Sequence, residues 1–228
     1  MSSLLRRSVA EALGTFALVF IGVGSMASSY YPDAKYGVLG VAIAHATVLS
    51  VMITATMAVS GGHLNPAVTI GLLAARRTNL RTACAYVPAQ LVGAVLGAAL
   101  VRMVYPRSVT NAIVLGTPAL AASVQIPQAI LVEAILTFFL VSAVFGTCVN
   151  AEAPKVGGFG VGLVLLFGVL VGGPLTGAAL NPARAFGPAL VSGQWVAQIV
   201  YWVGPILGGL AAALLWEYVL LPKRQAER

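Results

Sequence analysis

The polar residues able to do chemistry in this chain come in pairs. Asn-Pro-Ala occurs twice, at Asn65-Pro66-Ala67 and at Asn181-Pro182-Ala183, 116 positions apart (181 − 65). Asn is a favoured helix N-cap and Pro a favoured first helical residue, so each triplet predicts a helix start. An Asn there can cap its own helix through its oxygen and still present amide N–H groups outward. Two helix N-termini brought together would also focus positive potential between them. Glu11 and Glu133 form a second pair, each inside a long apolar stretch, where an ionisable residue points to function. They could relay protons; accepting hydrogen bonds from buried loop N–H groups suits them better. Arg184 follows the second triplet, always charged and rich in donors; it could pack helices or select by charge. His63 precedes the first triplet and could scaffold the turn or offer a polar contact there. This is the chemistry of hydrogen bonding and charge exclusion, and it suggests no enzyme. His45, His63 and two distant cysteines make no metal-ligand cluster, and no metal or other cofactor is implied.

The elements that must carry these residues are membrane helices. The chain is 59% hydrophobic and 8% charged, with a mean hydropathy of +0.95, outside the range of soluble domains. Six apolar stretches reach spanning length, roughly 20 residues. They lie at about Ser8–Ser28, Val38–Ser60, Thr82–Tyr105, Ala129–Cys148, Phe159–Val171 with a short run-in, and Val196–Leu221. The first follows Arg6-Arg7 and has a weak small-residue end, so it reads as a retained helix rather than a signal peptide. Segments after the triplets are too short to span and predict half-helices. The glycine-rich run-ins Ser60–His63 and Gly172–Ala179 predict irregular backbone, which survives in a bilayer only where it is buried or lines water. Their outward carbonyls could accept hydrogen bonds from a single file of permeating molecules. The connecting loops read as short, and Cys84 and Cys148 fall at helix ends, where they pack as small hydrophobes.

If the spans alternate, Arg6, Arg7, Arg76, Arg77, Arg81, Lys155, Lys223, Arg224 and Arg228 share one side of the membrane. Only Lys35, Arg102 and Arg107 face the other. By the positive-inside rule both termini are cytoplasmic. The net charge of +7 is then a topology signal, and the scattered basic residues suggest no nucleic-acid partner. The two halves also match in sequence. Ala10–Phe16 around Glu11 resembles Val132–Phe138 around Glu133, and glycines recur after each triplet at Gly93 and Gly97, then at Gly204, Gly208 and Gly209. Three spans per half give an inverted-topology repeat, about residues 1–110 and 125–222 of one channel domain covering 1–228. One triplet then enters from each side.

The motifs Ser60-Gly61-Gly62-His63-Leu64-Asn65-Pro66-Ala67-Val68-Thr69 and Asn181-Pro182-Ala183-Arg184-Ala185-Phe186-Gly187-Pro188 resemble those of the aquaporins, the major intrinsic protein family. The resemblance runs from about Val9 to Pro222, and in length the chain is similar to prokaryotic members. It implies an all-α bundle of six tilted transmembrane helices plus two half-helices, and a homotetramer with one pore per subunit. It also implies that Glu11 and Glu133 brace the pore loops. Half-helix dipoles and an Arg would exclude protons and cations.

In that family the narrowest point uses four positions, and spacing from the triplets carries these over to His45, Val169, Ala178 and Arg184. Water-specific members resemble one another in having Phe at the first and His at the second, whereas this chain has His45 and Val169. The set looks like the plant tonoplast intrinsic proteins and the ammonia-permeable animal members. The resemblance thus implies a passive water channel that also passes ammonia, with urea or hydrogen peroxide as further candidates. A strict water channel is one alternative. A glycerol facilitator is another, disfavoured by Ala185 where Asp would follow the Arg and by Tyr201-Trp202. More remote are a secondary transporter, which would need a coupling-ion site, and a structural membrane protein, which leaves Arg184 and both asparagines unexplained. The expected setting is the cell membrane, plasma or inner.

Overall fold

The computed structural model describes residues 3–154 and 156–222. Four basic residues that set the expected orientation, Lys155, Lys223, Arg224 and Arg228, lie outside the described residues. Six long helices appear where apolar runs require them: α1 (Ser3–Ser28), α2 (Gly37–Ser60), α4 (Leu80–Val104), α6 (Ile126–Val144), α7 (Phe159–Thr176) and α9 (Gln198–Leu215). All six are long and apolar enough to cross a membrane, α6 and α9 after lengthening by wide π turns at Phe145–Val149 and Trp216–Leu220. No strand occurs among the described residues. Between them lie two half-helices, α3 (Pro66–Ala74) and α8 (Pro182–Ser192), and a short α5 (Arg107–Ala112).

Packing is reciprocal. α1 lies against α4 and α6 against α9, while α2 meets α7 between the halves. Each half-helix packs on a helix of the other half, α3 on α9 and α8 on α4. Glycine makes these crossings close. A Cβ on Gly97 would sit 2.7 Å from the Phe16 carbonyl of α1, and one on Gly208 would overlap the Ala134 carbonyl of α6. Without water to drive helices together, association in a membrane depends on such contact of small residues.

Two expectations need correction. The irregular backbone before the second triplet does not begin at Gly172: α7 continues through Gly172, Gly173 and Pro174 to Thr176. The helix stops where Gly177 turns left-handed (φ 81°) and its N–H returns to the Gly173 carbonyl, the usual glycine C-cap. Gly172 stays helical because its bare face receives Leu136 and Ala178. Nor is the connection after α4 a short loop. It holds α5, a 3₁₀ turn at Val114–Gly116 and an irregular stretch with a further turn before Gln125. Its polar and small residues carry no spanning or periodic pattern, so sequence alone hides how it packs.

Candidate pore site

The two triplets start α3 and α8 as their residue types demand. Asn65 and Asn181 sit in extended conformation as N-caps; Asn65 Oδ1 accepts from Ala67 N–H at 2.8 Å, and Asn181 Oδ1 from Ala183 and Arg184 N–H at 3.0 and 3.3 Å. The approach loops repeat one another residue by residue. Left-handed φ values of 92°, 63° and 50° at Gly61, Gly62 and Leu64 correspond to 81°, 45° and 51° at Gly177, Ala178 and Leu180. For three non-glycine residues this geometry is costly, of order 1–3 kcal/mol each, and persists only where the surroundings impose it.

Two glutamates hydrogen-bond to this backbone. Both are fully buried. Glu11 Oε1 accepts from Ser60 Oγ at 2.7 Å and His63 N–H at 2.9 Å; Oε2 accepts from Leu64 N–H at 2.6 Å and Gln90 Nε2 at 2.8 Å. Glu133 repeats the pattern, with Thr176 Oγ1 and Ala179 N–H on Oε1 and Leu180 N–H on Oε2. Each carboxylate thus ties the end of one long helix to the left-handed Leu of its own loop.

The loops are also tied to each other. Asn65 Nδ2 donates to the Leu180 carbonyl at 2.8 Å, and Asn181 Nδ2 to the Leu64 carbonyl at 2.9 Å. The asparagines are therefore not wholly free to face outward, as the sequence suggested: one amide hydrogen of each holds the opposite loop, and one remains. Tyr86 and Tyr201 hydroxyls occupy the Ser60 and Thr176 carbonyls. Among the described residues, the carbonyls of Gly61, Gly62 and His63, and of Gly177, Ala178 and Ala179, accept no protein hydrogen bond. They form two short ladders of free acceptors.

A narrow cavity runs past these groups, lined by His45, His63, Asn65, Ala178, Asn181 and Arg184 and by aliphatic walls such as Leu49, Ile53, Val144 and Leu165. A wider one is lined by Tyr30, Val38, Val169 and Gly177. His45 and Arg184 line both, so the neck between the cavities passes between them. Val169 faces the wide side and Ala178 the narrow side. His45 Nδ1 lies 2.8 Å from the Val41 carbonyl. A carbonyl can only accept, so Nδ1 carries the proton and Nε2 of the neutral ring is an acceptor. That ring edge fits because position 22 is Gly. Arg184, 4% exposed, donates from Nη1 to the Gly116 carbonyl at 2.9 Å. His63 is held by its neighbours and also lines the cavity. Its Nδ1 meets Thr69 Oγ1 at 3.1 Å, its ring stacks edge-on against Tyr86, and it lines the cavity.

Several contributors escape a reading by motif. Gln90 donates to both Glu11 and Thr69 Oγ1. Thr15 reaches the Leu64 carbonyl at 3.3 Å, and Arg7 donates to the Tyr86 hydroxyl at 2.8 Å. Gln90 carried one available signal, an uncharged amide amid an apolar span. Gly116 carried none, because its part is played by a carbonyl.

A sequence model described as Major intrinsic protein matches residues 1–216. The chain belongs to that family. Among curated relatives it is similar to aquaporin TIP4-4 of Zea mays, 45% identical over 93% of this chain and 86% of the relative. It is likewise similar to probable aquaporin TIP3-2 of Arabidopsis thaliana, 41% identical over 96% and 85%, and to aquaporin-5 of Ovis aries, 38% identical over 97% and 83%. Among solved structures, the aquaglyceroporin from Plasmodium falciparum superposes with a TM-score of 0.82, covering 95% of this chain and 97% of that one. At 24% identity that likeness shows the fold alone. This member of the major intrinsic protein family is an integral, multi-pass membrane protein of the aquaporin channel type.

Proposed function

We propose that this protein is a passive water channel that also passes neutral ammonia, with urea and hydrogen peroxide as further candidates. The observation that carries the reading is the meeting of two asparagine-capped half-helices beside a narrow cavity with free carbonyls on both approaches. Water entering from either side exchanges its bulk hydrogen bonds for carbonyl acceptors, then for the remaining asparagine N–H groups. Two helix N-termini and Arg184 hold positive potential there, which opposes cations. In this reading His45, Val169, Ala178 and Arg184 form the filter. Val169 and Ala178 leave it wider and less polar than a ring of large polar residues would, which favours small neutral solutes beyond water. Arg184 disfavours ammonium, so the nitrogen species is ammonia.

The chain works as a channel and not an enzyme, as one domain of two inverted repeats with both termini on the cytoplasmic side. It assembles as a homotetramer. The relatives named as TIP-type aquaporins give no support to the cell-membrane expectation, so that compartment is not carried forward. Stopped-flow permeability of reconstituted protein tests the reading. Expected are water and ammonia fluxes well above empty liposomes, with low activation energy and no ion coupling. Water flux with ammonia and urea at the empty-liposome level would leave a strict water channel, and coupled flux would point to a transporter.

A further inference from the structure

We propose that Arg102 is a positioning residue for selectivity: it fastens the segment 107–117 to the end of α8 and thereby holds the carbonyl on which Arg184 docks. The inference rests on reading Arg184 as a filter residue. Arg184 offers five N–H donors, yet among the described residues its guanidinium has one protein acceptor, the Gly116 carbonyl, and its buried Nε has none. Its orientation in the neck therefore depends on where one peptide sits.

That peptide is held from three directions. Arg102, in the last turn of α4, donates from Nη1 to the Val191 carbonyl at 2.6 Å and from Nη2 to Asn111 Oδ1 on α5 at 3.3 Å. Val191 offers one of the terminal carbonyls of α8 that lack a helical partner, a place where a cation is favourable. Thr117 and Ser192 hydroxyls meet at 2.9 Å and close the other end of the segment. Between these fasteners Val114, Leu115 and Gly116 are all left-handed, at φ 49°, 51° and 66°. Valine adopts that conformation only under constraint. From beneath, Leu115 is 1% exposed in a cluster with Val19, Val23 and Ala183, and a Cβ on Gly116 would lie 2.9 Å from Val23. Arg102 pairs with no carboxylate among the described residues. Its fork spans the very helix that carries Arg184 and the segment that receives Arg184, which a point charge could not do.

Loosening the fastener lets larger solutes displace the Arg184 guanidinium from its wall. In reconstituted full-length protein, Arg102→Gln should raise urea and glycerol permeability relative to water by about threefold or more, the scale of one weakened hydrogen bond. Arg102→Lys should fall between Arg102→Gln and the parent. In an Arg184→Ala background the Arg102→Gln change should have no further effect on the ratio. An unchanged ratio in folded Arg102→Gln protein overturns the proposal, and so does an equal increase in both backgrounds, which would mark a merely structural role. Should Arg102→Gln fail to fold, Thr117→Val releases the other fastener and must raise the same ratio; no rise there also overturns it. Arg184→Ala with parental solute ratios would instead sink the filter reading itself.

Discussion

At the residue scale, the buried carboxylates are organisers of backbone. Glu11 meets four donors from α2, the first approach loop and α4, so a single side chain sets the loop carbonyls and the His63 position together. Glu11→Gln keeps one acceptor oxygen but turns an amide N–H₂ toward donors that need an acceptor. Glu11→Ala strands the buried N–H groups of His63 and Leu64 outright, each at about 1–3 kcal/mol. We expect thermal unfolding in detergent to rank parent above Glu11→Gln above Glu11→Ala, with water flux per folded channel following the same order. Loss of flux in well-folded Glu11→Gln, with flux kept in Glu11→Ala, would instead indicate that the charge itself acts in transport.

At the element scale, the site depends on how closely helices cross. The half-helices meet because α3 leans on α9 and α8 on α4, and those long helices are in turn seated on α6 and α1. Gly208 is the tightest point of the α6–α9 crossing, where any Cβ collides with the Ala134 backbone carbonyl. Backbone cannot step aside as a flexible side chain can, so Gly208→Leu should cost at least the ~1–3 kcal/mol typical of overpacking. The expected outcome is a sharply reduced yield of folded protein on size-exclusion chromatography. Leu207 next to it is 52% exposed on the outer face, and Leu207→Ala should leave that yield near the parent's. Equal yields for the two substitutions would show that the crossing tolerates separation.

At the scale of the whole molecule, the proposed filter draws on four elements at once. His45 comes from α2, Val169 from α7, Ala178 from the second approach loop and Arg184 from α8. The neck lies where His45 and Arg184 face both cavities. The double change His45→Phe with Val169→His should narrow it and restore a polar group on the Val169 side. We expect ammonia and urea fluxes to drop toward the empty-liposome level while water flux persists. Retention of full ammonia and urea flux in a folded double variant would mean that these two side chains do not set solute size.

What the sequence determines by itself is whatever obeys local rules. Spanning helices follow from apolar run length, half-helix starts from the Asn-Pro pair, and the stop of α2 from Gly61. Even the correspondence of the halves is legible, because Glu11, Asn65 and the paired glycines recur at matching places. Local rules fail where a position depends on distant partners. The extension of α7 through Gly172 to Thr176 was hidden because glycine there serves packing against Leu136, not helix termination. The cross-bonds from each Asn amide to the opposite Leu carbonyl join residues more than a hundred positions apart. The seat of Arg184 is a backbone carbonyl in a connection with no periodicity. Every residue has a carbonyl, so residue type cannot mark which one will be used; only the folded path of the chain brings Gly116 to it.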